Sequence, residues 1–114
     1  MGAAVILWAL PVWAADIVYS STIEDLPLMQ GMYELPRESL TFDTPQGRIV
    51  ETTIETSDSK KKVLEFYSQN LPALGWDTKD HMAYVRDDEQ LTMEFGHAER
   101  GTLVHFTLTP FKGK

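Results

Sequence analysis

Three histidines, seventeen acids and a run of three lysines are the side chains from which chemistry could be built in this 114-residue chain, which has no cysteine. His105 lies in a stretch where Val104, Phe106 and Leu108 alternate with polar residues. A hairpin register that turns every large apolar group inward sets His105 opposite Glu94 on the other face of the sheet. Such a pair favours the charged imidazole and offers a general base, a ligand contact or half of a metal site. His81 and His97 fall in turns, and no two histidines are spaced so as to force a shared ligand geometry, so no metal site is expected. Asp87-Asp88-Glu89 lacks the Gly bend and terminal bidentate Glu of a calcium loop and reads as a solvated tip.

Lys60-Lys61-Lys62 breaks a local rule, because cations in a helix's first turn oppose its dipole at about 0.3 kcal/mol or more each. An uncompensated local conflict marks a candidate anion site or a contact for an acidic partner. Nucleophiles are poorly served. The serines have no elbow glycines, thiols are absent, and Gly47, Gly75, Gly96 and Gly101 are too scattered for a phosphate loop. No catalytic residue and no cofactor is expected, and a non-enzymatic role follows.

The elements that must position these residues begin at Arg48–Thr56, a β-branched strand. Ser57 or Asp58 is expected to cap a helix whose Val63, Leu64, Tyr67 and Leu71 form one buried stripe, with Phe66 at its margin. Leu71-Pro72 ends it, Gly75 supplies a left-handed closing residue, and Trp76 is expected to plug the gap between helix and sheet. Two-residue alternation then predicts a three-stranded meander. A turn at Asp88-Glu89 would pair Tyr84 with Met93. A turn within Ala98–Gly101 would pair Met93 with Phe106 and Phe95 with Val104. The predicted fold is α+β: a two-layer sandwich of one helix on a four-stranded, mainly antiparallel sheet, in the order β-α-β-β-β.

Residues 1–15 are uncharged and apolar and end in Val12-Trp13-Ala14-Ala15, the small-residue pattern of an export signal, although the basic opening of such signals is absent. Cleavage after Ala14 or Ala15 into a periplasm is expected. Fifteen helical residues would span about 22 Å, short of a bilayer core of roughly 30 Å, so membrane contact would require this segment to be retained. Residues 16–46, with three Xaa-Pro steps, read as an irregular arm ahead of a domain over 47–114. The arm's Leu28, Met29, Met32 and Tyr33 offer an adaptable surface for a protein partner. A net charge of −7 argues against nucleic acid.

Two stretches carry a resemblance: Leu26-Pro27-Leu28-Met29-Gln30-Gly31-Met32 leading to Phe42-Asp43-Thr44-Pro45-Gln46-Gly47-Arg48, and Phe66-Tyr67-Ser68-Gln69-Asn70-Leu71-Pro72-Ala73-Leu74-Gly75-Trp76. Together they resemble small exported bacterial proteins of unassigned function, with a proline-containing arm before a strand, a helix and a meander. The resemblance implies no activity. The expected function is therefore a protein-binding or accessory-subunit domain of a cell-envelope assembly. A small-ligand or metal carrier using the sheet face around Glu94 and His105 is the alternative, and a small hydrolase the third.

Overall fold

The computed structural model describes residues 17–112. The predicted export signal over residues 1–15 and its cleavage point lie outside the described residues. The chain runs through β1 (Val18–Tyr19), β2 (Pro27–Leu28), β3 (Tyr33–Thr44), β4 (Gly47–Thr56), α1 (Lys60–Asn70) and a 3-10 turn at Pro72–Leu74. It continues through β5 (Asp77–Asp80), β6 (Ala83–Arg86), β7 (Glu89–Ala98) and β8 (Gly101–Pro110).

The predicted four-stranded sheet is corrected to one of six strands, ordered β3-β4-β8-β7-β6-β5 and antiparallel throughout, beside a two-stranded β1-β2 ribbon. The segment read as an irregular arm contains β3, a twelve-residue edge strand. Two of its prolines do not prevent pairing. Pro45 and Gln46 form the tip of the β3–β4 hairpin, closed by Thr44 opposite Gly47, where Thr44 Oγ1 donates to the Gly47 carbonyl at 2.6 Å. Pro36 begins an irregularity in which the register shifts between Leu35 and Leu40, and an edge strand tolerates the missing donor. The other addition, β5, gives no apolar alternation because all four of its residues are exposed. Its charges suit an unprotected sheet edge.

One face of the sheet carries the core. Val50 and Ile54 of β4, Leu91 and Met93 of β7, and Val104, Phe106 and Leu108 of β8 are buried there against Val63, Tyr67 and Leu71. The Tyr67 ring sits edge-on between Phe66 and Phe106, with centroids 4.9 and 5.1 Å away. Ile23, Leu26 and Met32 from the N-terminal segment complete the same cluster.

The helix is capped by Ser59, whose Oγ accepts from the Lys62 amide at 3.2 Å, in place of the expected Ser57 or Asp58. Pro72 ends the helix, and Gly75 at φ 91° lets the Trp76 amide return to the Leu71 carbonyl at 3.1 Å. Trp76 is buried beneath the Arg86 guanidinium, 4.5 Å from its ring centroid.

The β7–β8 hairpin has the predicted register, with Met93 opposite Phe106 and Phe95 opposite Val104. The β6–β7 turn instead lies at Asp87-Asp88, where Asp87 takes φ 55°, and Tyr84 stands opposite Leu91 rather than Met93. That shift of two residues leaves every side chain on its predicted face.

Candidate functional site

Beside the core stripe, α1 presents a second stripe made of Lys60, Lys61, Leu64, Glu65 and Ser68. It forms one wall of a cleft of about 480 Å³ whose other wall is Thr78, His81 and Tyr84 of the β5–β6 hairpin. The 3.6-residue helical repeat separates the two stripes: Val63, Tyr67 and Leu71 turn under the sheet, while the residues beside them turn toward β5. Of the three candidate lysines, the cleft takes Lys60 and Lys61. Lys62 turns away toward Asp58, with 3.9 Å between Nζ and the carboxylate.

Lys60 Nζ lies 5.1 Å from the ring centroid of Phe95, a β7 residue outside the cleft lining, in a cation–π approach. Tyr84 is 2% exposed as a residue, with its hydroxyl open to solvent in the cleft and bonded to no other side chain among the described residues. Burial pushes its pKa up, which keeps the group a proton donor at neutral pH. Sequence reasoning reached the lysines through their conflict with the helix dipole. It missed Leu64's second role, along with Ser68, Thr78, His81 and Tyr84, because the β5 wall has no periodic signal. Lys60, Lys61, Leu64 and Ser68 at near-helical spacing were the visible trace.

His105 and Glu94 are opposite in register, as expected, but the imidazole bonds elsewhere. Its Nε2 lies 2.9 Å from Glu51 Oε1 and its Nδ1 lies 2.7 Å from Thr53 Oγ1. An ionised carboxylate only accepts, so Nε2 donates to Glu51, and in the neutral ring Nδ1 accepts from the Thr53 hydroxyl. The order hydroxyl, imidazole, carboxylate resembles a hydrolytic relay. Thr53 is only 4% exposed, however, and the trio belongs to the sheet face turned away from the helix, so it reads as cross-strand pairing. Among the described residues no group of three or more His, Cys, Asp or Glu could hold a metal ion.

The four residues offered for a protein partner divide. Met32 is buried and receives the Tyr67 hydroxyl at 3.5 Å from its sulfur, and Leu28 and Met29 pack against the core. Tyr33 alone is exposed, on the same edge strand that exposes Leu40 and Phe42 further along. Three of the four therefore face inward, because this segment fills core volume that the helix leaves open. Glu34 fastens the segment. Its carboxylate accepts from the Ser20 hydroxyl, the Ser21 amide at 2.9 Å, the Ser21 hydroxyl at 2.7 Å and Thr52 Oγ1 at 3.0 Å. Burial would raise its pKa, but these donors outweigh burial and bring it down to about 2.

Neither the curated proteins nor the solved structures include a match to this chain. A family model described as START domain-like matches residues 37–110, a span that holds α1, the six-stranded sheet from the β3 bulge onward and every residue lining the cleft. That match covers well over half of the sequence, and the chain belongs to the START domain-like family.

Proposed function

We propose that this protein is a non-catalytic binder of a small, largely apolar ligand, which it holds in the cleft between α1 and the β5–β6 hairpin. The observation that carries this reading is the cleft itself, about 480 Å³ with Leu64 and Tyr84 among its lining residues. Its size falls within the roughly 300–1,000 Å³ usual for small-molecule sites. Membership of the START domain-like family supports ligand binding in general. The other expected roles have less to stand on. Of the four arm residues expected to meet a partner, Leu28, Met29 and Met32 are committed to the core and only Tyr33 stays exposed, leaving the arm's outward apolar groups at Ile17–Tyr19, Tyr33, Leu40 and Phe42. The sheet face around His105 has both imidazole nitrogens engaged.

A neutral fluorophore, N-phenyl-1-naphthylamine, tests the reading. It should bind saturably with a blue-shifted, enhanced emission. Ser68→Trp, which places an indole in the cleft from an exposed helix position, should abolish the signal without lowering Tm. Unchanged fluorophore binding in Ser68→Trp would move the site elsewhere or remove it.

A further inference from the structure

Resting on the cleft as a ligand site, we propose that its ligand carries a single negative charge, a carboxylate on an apolar body, held by the Lys60 and Lys61 ammonium groups and the Tyr84 hydroxyl. The cations are available. Neither lysine forms an ion pair among the described residues, whereas Lys62 pairs with Asp58, and no acidic side chain occupies the first turn of α1. Two uncompensated cations at that helix end are unfavourable until an anion arrives.

The Tyr84 hydroxyl is an independent sign. The Tyr84 ring is buried, but its hydroxyl lines the cleft, stays open to solvent and bonds to nothing among the described residues, so it is free to donate to a ligand acceptor. The helix amides are not what binds, since Ser59 already takes the Lys62 N–H.

Charge balance selects the class. Lys60 and Lys61 against Glu65, which lines the same wall, leave one net positive charge among the three. That complements a monoanion and disfavours a dianionic phosphate monoester, whose second charge would face Glu65. The apolar body would lie along Leu64, the Tyr84 ring and the lysine stems.

The experiment is a calorimetric titration of the full chain with octanoate, 1-octanol and octyl phosphate, repeated in Lys60→Gln/Lys61→Gln and in Tyr84→Phe. Octanoate should bind about tenfold or more tighter than octanol, and also tighter than octyl phosphate at pH 8. The double variant should erase the octanoate preference while leaving octanol unchanged. Tyr84→Phe should weaken octanoate about threefold or more without lowering the ligand-free Tm, because the lost hydroxyl had no partner. Equal binding of octanoate and octanol, or a preference that survives the double variant, would overturn the anionic head group while leaving the apolar cleft intact. Failure of all three ligands together with the neutral fluorophore would overturn the cleft as well. Should the double variant not fold, Lys61→Gln alone, at an exposed position, carries the same comparison.

Discussion

Glu34 is the residue at which local chemistry and overall stability meet most directly. Four donors converge on one carboxylate that has no cationic partner among the described residues, and they hold its pKa near 2, below the usual 4.5. The direction of its pH effect follows from that lowering. Protons bind the unfolded carboxyl more tightly than the folded one, so the stabilisation is complete above pH 4.5 and fades as pH falls toward about 2. Stability measured by urea unfolding should therefore decline between pH 4.5 and 2 in the wild type. Glu34→Gln should be less stable at pH 7 and should lose part of this acid-side slope. An unchanged slope in the variant would assign the acid sensitivity to other carboxylates. None of this was legible in the sequence, because Ser20, Ser21 and Thr52 reach Glu34 only after β3 pairs with β4 and the N-terminal segment folds back.

At the scale of elements, the entry to α1 is set by how closely β8 approaches the end of β4. A Cβ added at Gly101 would stand 2.2 Å from the Thr56 carbonyl oxygen and 2.7 Å from Ser57 Cα, and neither backbone atom can yield without moving the start of the helix. Gly101→Ala should cost about 3 kcal/mol, read as a lower urea midpoint, and should weaken ligand binding because Lys60 and Lys61 follow directly after this loop. An Ala variant of wild-type stability would mean that the loop relaxes freely. The elements that carry strong periodicity were legible: α1 with its Val63–Tyr67–Leu71 stripe, the Pro72–Gly75 stop, and the β7–β8 register down to Met93 opposite Phe106. The two edge strands were not. In β3 the proline signals belong to a hairpin tip and a bulge, both of which mimic irregular chain. In β5, Asp77, Thr78, Lys79 and Asp80 are all wet, so no side chain reports its pairing with β6. The cleft was half-visible for the same reason: its helical wall left a trace in Lys60 and Lys61, and its strand wall left none.

For the molecule as a whole, the question is whether the N-terminal segment is an appendage or part of the fold. Ile23 and Leu26 are each 1% exposed within the cluster that also holds Val63, Tyr67 and Phe106, and the Ser20 amide donates to the Leu26 carbonyl at 2.8 Å. A segment whose apolar side chains fill the common core cannot leave without exposing that core, so it should unfold with the sheet in one step. Native-state hydrogen exchange checks this. The Ser20 and Leu26 amides should open with the same free energy as those of Ile54 and Phe106, while β5 opens at much lower cost. Faster, independent exchange at Ser20 and Leu26 would make the segment a detachable strap. The low barrier expected for β5 has a functional meaning. Its four exposed residues contribute nothing to the core, so the Thr78 side of the cleft can move while β4, β8, β7 and α1 stay packed, as the proposed ligand binding would require. On the proposed ligand-binding role, site and scaffold divide along one line in the sheet: the central strands hold the shape, and the edge beside α1 is the part free to give way to a ligand.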